Sequence, residues 1–156
     1  MPQSSLLSFY SFNTVVMKKI EHIGIAVKSL KDSNLMYEKL LGVKPYKIEE
    51  VASEGVNTSF FEMGESKVEL LEAITETSAI AKFLEKHGPG IHHIAYAVDD
   101  IKQELQRLKS EGFELINEEP KKGADNKWVA FLHPKSTAGV LIELCQERTP
   151  ENDKEE

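Results

Sequence analysis

The stretch His22-Ile-Gly-Ile-Ala-Val27 returns 71 residues later as His93-Ile-Ala-Tyr-Ala-Val98, with His, Ile, Ala and Val identical in place. Self-similarity at one fixed offset constrains the fold more than any composition, because each copy must be one supersecondary unit packed against its twin. A helical stretch closed by glycine follows each copy, 29–41 before Gly42 and 99–111 before Gly112, and Lys31 falls on Lys102. In the second, Ile101, Leu105 and Leu108 share one helical face. Asp99 or Asp100 suits its N-cap, and the two glycines suit the left-handed position that ends a helix.

Three strand-like runs complete each half: 45–51, 56–63 and 67–73 in the first, then 113–117, 128–133 and 139–146 in the second. The breaks between them are rich in Gly, Pro, Asn and Ser, as turns require. Val68-Glu-Leu70 recurs as Ile142-Glu-Leu144 at an offset of 74, so one loop has grown by three residues. A short helix over 77–87, ended by Gly88-Pro-Gly90, links the halves. The chain therefore predicts an α+β fold, with two tandem βαβββ modules at about 17–76 and 90–147. Together they form one domain over 17–147, with a single curved mixed sheet around a metal site.

The ends are expected to lie outside that fold. Residues 1–16 hold no charged side chain, whereas a secretory leader needs a basic start and a mitochondrial one needs arginines. Met17-Lys18-Lys19 reads like a start, which makes 1–16 an extension, disordered or preceding the true start. The polar segment 148–156 is expected to be a disordered tail.

A formal net charge of −7 with two arginines, Arg107 and Arg148, argues against a nucleic-acid partner. No run approaches the ~18 consecutive apolar residues of a membrane span. The one cysteine, Cys145, excludes an internal disulfide framework and a cysteine-based zinc site. A soluble, cytoplasmic protein is the expectation.

The repeat also carries chemistry. Strand side chains alternate between faces, which puts His22 beside Gly24 and Ala26, and His93 beside Ala95 and Ala97. Small neighbours leave open space next to each imidazole. Glu69 and Glu143 lie in the last strand of each module between apolar neighbours, where a carboxylate either faces solvent or is held by a cation. Taken singly, each of the four has a structural reading as plausible as a functional one. The duplication brings a His and a Glu from both modules to one concave surface, and two imidazoles with two carboxylates suit a divalent cation with open positions.

Other residues carry less. His92 is expected to point away from His93 and pack under the helices. His87 suits the negative end of its helix, and His133 is either structural or part of the site. Cys145 reads as a small buried hydrophobe and Trp128 as a core or interface anchor. Lys121, Lys122, Lys127 and Lys135 form either a solvated basic loop or a handle for an anionic substrate.

These residues resemble the vicinal-oxygen-chelate superfamily of glyoxalases and bleomycin-resistance proteins, and more narrowly the methylmalonyl-CoA epimerases. The stretches IEHIGIAV, KVELLEA, GPGIHHIAYAVDDI and FLHPKSTAGVLIELCQE carry the resemblance across nearly all of 18–147. It implies a glyoxalase-like fold and a site of His22, Glu69, His93 and Glu143 for Co²⁺, with Mn²⁺, Zn²⁺, Ni²⁺ or Mg²⁺ as alternatives. It further implies an acyl-CoA substrate and interconversion of the (R) and (S) C2 epimers of methylmalonyl-CoA in propionate metabolism. Some of these epimerases have Gln where Glu69 stands, so this site is one charge more negative.

The chemistry matches. The C2 proton lies between a thioester and a carboxylate, and a cation chelating both stabilises the enolate charge. Inversion needs two acid–base groups or one mobile group. Glu143, through its second oxygen, and Lys67, on the face of Glu69, are the expected catalytic residues, with Glu50 and Glu54 weaker candidates. Lys121, Lys135, Ser136 and Thr137, with Lys122, are the candidates for the CoA phosphates. A glyoxalase I-like lyase on glutathione hemithioacetals is the nearest alternative, but it needs cationic groups that two arginines scarcely supply. An extradiol dioxygenase would leave Glu69 without a role, and a drug-sequestering protein fits poorly with 8% aromatics. A homodimer is expected, because sheets of this type commonly pair by an edge or face.

Overall fold

The computed structural model describes residues 17–154; the segment 1–16 lies outside the described residues. The first module runs β1 (Met17–Ala26), α1 (Leu30–Leu41), β2 (Lys47–Val51), β3 (Val56–Met63) and β4 (Ser66–Ala73). After the linking helix α2 (Ala79–His87) the second runs β5 (Gly90–Val98), α3 (Ile101–Ser110), β6 (Lys121–Lys122), β7 (Lys127–Leu132) and β8 (Ile142–Glu147). Helix boundaries follow the expected chemistry. Ser29 and Asp100 accept hydrogen bonds from Asp32 N and Gln103 N as N-caps, and Gly42 and Gly112 take φ of 73° and 92° just past the helix ends.

All eight strands form one sheet in the order β2-β3-β4-β1-β5-β8-β7-β6. β1 and β5 pair antiparallel at its centre, while β1–β4 and β5–β8 are parallel, so the two modules are related by a pseudo-twofold axis between β1 and β5. The sheet curls until its ends meet. Tyr46 Oη donates to Asp125 Oδ2 at 2.8 Å, Asp125 N donates to Glu49 Oε2 at 2.8 Å, and Lys121 pairs with Glu54. The helices pack outside, α3 on Trp128, Leu132 and Leu144, and α1 on Phe61 and Leu70.

One expectation needs correction. The second module's edge strand is not 113–117, which makes only a bridge from Leu115 to Leu132. There the Asn117 side chain accepts from Phe131 N at 2.9 Å in place of a backbone carbonyl, and pairing resumes at Lys121–Lys122. Residues of the tail make contacts over its described part. Arg148 binds Asp153, and Asn152 accepts from Trp128 Nε1 at 3.0 Å.

Candidate metal centre

Strand register builds the centre. Across β4, β1 and β5, Glu69 pairs with Gly24 and Gly24 with His93. One row along, His22 pairs with Ala95, and Ala95 with Glu143 on β8. The functional side chains thus converge over two small residues inside the curled sheet. An ideal Cβ on Gly24 would stand 2.1 Å from His93 Cε1, so the space that glycine leaves is filled by the His93 ring.

The four side chains come together. His22 Nε2 lies 3.0 Å from His93 Nε2, 3.3 Å from Glu69 Oε2 and 3.5 Å from Glu143 Oε2, and His93 Nε2 lies 3.0 Å from Glu143 Oε2. Neighbouring ligands at right angles about one cation, each ~2.1 Å from it, stand about 3.0 Å apart. All four residues are at most 6% exposed. Buried carboxylates beside two imidazoles are a costly arrangement unless a cation neutralises them. The donor set therefore fits a divalent cation.

The charges are strongly coupled. Burial, reinforced by Glu143 and Glu21, lifts the Glu69 carboxyl to about 8 against the pull of His22. Burial works against the charge on His22 and Glu143 too, yet each holds the other charged, with Glu69 also favouring the imidazolium and His93 the carboxylate. A cation must displace the protons of Glu69 and His22, so its affinity falls as pH drops below about 8. Proton release on Co²⁺ binding at pH 7 is expected in calorimetric titrations run in buffers of different ionisation enthalpy; a heat that does not change with buffer would contradict it.

The sequence reading missed Glu21. It is 5% exposed and accepts from His22 Nδ1 with one oxygen and from Lys67 Nζ at 2.7 Å with the other. Burial would raise it, but His22 and Lys67 bring it down to about 2. Lys67 is clamped between Glu21 and Asp125, both at 2.7 Å, and does not line the cavity above the four residues. The second oxygen of Glu143 accepts from the Cys145 thiol at 3.1 Å.

That cavity, of about 250 Å³, has apolar walls including Val56, Leu71, Ile80, Val129 and Phe131. Glu54 and Lys121, paired to each other, line it, as does His92. His92 thus shares the site with His93 instead of pointing away, while its ring packs edge-on against Phe83 of α2. Lys135, Ser136 and Thr137 lie elsewhere, in the turn after β7, and do not line that cavity. Ser136 Oγ accepts from Glu114 N and Thr137 Oγ1 donates to Val140 O. His133 caps that turn, accepting from Lys135 N.

Residues 21–131 match the family model of the Glyoxalase/Bleomycin resistance protein/Dioxygenase superfamily. An ethylmalonyl-CoA/methylmalonyl-CoA epimerase of Cereibacter sphaeroides is 41% identical over 130 residues, covering 82% of this chain and 97% of its own. The crystal structure of methylmalonyl-CoA epimerase from Mycobacterium tuberculosis superposes with a TM-score of 0.85 at 32% identity, over 92% of this chain and 97% of that one. A methylmalonyl-CoA epimerase in complex with methylmalonyl-CoA and NH4+ superposes with a TM-score of 0.80 at 31% identity, covering 85% and 96%.

Proposed function

The chain belongs to the Glyoxalase/Bleomycin resistance protein/Dioxygenase superfamily, and within it we propose that it acts as a methylmalonyl-CoA epimerase, interconverting the (R) and (S) epimers at C2. The convergence of His22, Glu69, His93 and Glu143 under an apolar cavity is the observation that carries this reading. The relatives named for this substrate support it. These four residues hold a divalent metal ion, cobalt first among the candidates. When bound, the ion supplies Lewis-acid stabilisation of the negative charge that develops on the substrate's thioester oxygen.

The protein's own groups do the rest. The apolar walls seat the acyl portion and exclude water from the acidic carbon. Glu54, on the turn after β2 and apart from the ligand cluster, exchanges the C2 proton on one face of the carbon, with Lys121 holding its orientation, and Glu143, through its second oxygen, serves the opposite face, as inversion requires. Lys121 also meets the anionic substrate at the cavity wall. A lyase on glutathione hemithioacetals is not favoured: no arginine lines the cavity among the described residues. No helix of the described residues is long and apolar enough to cross a membrane, and the protein works as a homodimer in this reading.

Glu54→Gln tests the assignment of the base. General acid–base groups contribute roughly 10²–10⁴-fold, so the variant is expected to lose epimerisation by that factor while its Co²⁺ content stays that of the parent. Epimer ratios followed by chromatography of the acyl-CoA report the rate. Undiminished turnover would remove Glu54 from the mechanism.

A further inference from the structure

Each ligand histidine follows a residue that regular sheet pairing leaves out. Between β1 and β5, Ile20 pairs with Tyr96 and His22 with Ala95, so Glu21 is an extra residue bulged from β1. Farther along, Gly24 pairs with His93 and Ile25 with Ile91, so His92 is an extra residue bulged from β5. In an unbroken strand Glu21 and His22 would point to opposite faces. A bulge re-aims a side chain, and here it buries both residues together. Residues 21 and 92 occupy the same position of the 71-residue repeat.

We propose that the paired bulges exist to place Glu21 and His92 as positioning residues behind His22 and His93, and that the Glu21 carboxylate sets how tightly the centre holds its cation. The proposal rests on the four-ligand reading above. With Nε2 turned to the cluster, His22 carries its proton on Nδ1 and donates it to Glu21 Oε2, which fixes the tautomer and makes the imidazole a stronger donor. The carboxylate is itself immobilised. Its Oε1 accepts from Lys67 Nζ at 2.7 Å, and Lys67 is held by Asp125 from the loop between β6 and β7. A loop of the second module thereby fixes a metal ligand of the first.

Behind His93 the arrangement is the same but uncharged. With its Nε2 likewise turned to the cluster, His93 carries its proton on Nδ1 and donates it to His92 Nδ1 at 2.9 Å, and His92 packs against Phe83. His92 fixes the ring's direction without the electrostatic gain of a carboxylate. The two imidazoles are therefore unequal, and His22 is the stronger ligand.

The test is Co²⁺ affinity of the metal-free protein, measured by calorimetry and by the visible absorption of bound Co²⁺, for parent, Glu21→Gln, Glu21→Asp and His92→Phe. Glu21→Gln should weaken binding by about 10–100-fold and alter the Co²⁺ spectrum, with the far-ultraviolet circular dichroism unchanged. The fold tolerates it because Lys67 keeps Asp125 and Lys127 keeps Glu147. Glu21→Asp, which retains the charge, should recover part of the affinity, and His92→Phe should lose less than Glu21→Gln. Parent-like affinity and spectrum in Glu21→Gln would overturn the proposal, as would a larger loss in His92→Phe. A parent protein that binds no Co²⁺ would instead overturn the four-ligand reading on which it stands.

Discussion

Replacing His93 with alanine is expected to abolish Co²⁺ binding and to lower epimerisation by at least about 10²-fold, the scale seen when one group stabilising developing charge is removed. His93 Nε2 stands 3.0 Å from both His22 Nε2 and Glu143 Oε2, so its loss breaks two edges of the donor set at once. Glu143 then keeps only His22 among its imidazole partners. The fold should survive, since the four hydrophobic clusters that hold the helices and sheet together do not include His93. The space left by the ring also opens onto the cavity, where water can enter. Metal analysis after dialysis, circular dichroism and activity check the three parts separately. Full activity in this variant would sink the site assignment.

Gly24→Ala should be nearly as damaging without removing any donor atom. The added Cβ would meet His93 at 2.1 Å from Cε1, 2.5 Å from Nδ1 and 2.6 Å from Nε2. The ring cannot simply swing aside, because His92 holds Nδ1 and Phe131 packs against it edge-on at 5.9 Å between centroids. Either the imidazole leaves the cluster or β1 and β5 separate at the sheet's centre, and both disturb the ligand geometry. Metal affinity is expected to fall by at least about tenfold, which misplacement of one ligand readily costs, and activity with it. Equal affinity in parent and variant would show that the ring has another place to go.

Much of this was legible before any coordinates. The repeats at 22 and 93 and at 69 and 143 pointed to two modules in one curved sheet and to the four residues that meet inside it, because duplicated strands put identical chemistry at equivalent places. What stayed hidden depended on departures from regular pairing. Strand alternation sends Glu21 and His92 to the wrong face, and only the bulges at those residues bring them behind the ligand histidines. The surroundings of Lys67 stayed hidden for a related reason. Its face was read correctly, but Glu21 and Asp125 claim its ammonium, and Asp125 is 58 residues distant in sequence. The strand expected over 113–117 was lost to the Asn117 side chain, which competes with the backbone for Phe131 N. Glu54 stood out only once the curl of the sheet brought it to Lys121, an edge-to-edge contact that no local pattern encodes.

The central claim is that His22, Glu69, His93 and Glu143 support proton exchange at C2 of an acyl-CoA. Deuterium wash-in at C2 of methylmalonyl-CoA in heavy water, by protein stripped with chelator and then with Co²⁺ restored, tests it most directly. Exchange that is absent in the stripped protein and returns with Co²⁺ is the predicted result. Failure to exchange with Co²⁺ or with any of the alternative divalent ions would contradict the account.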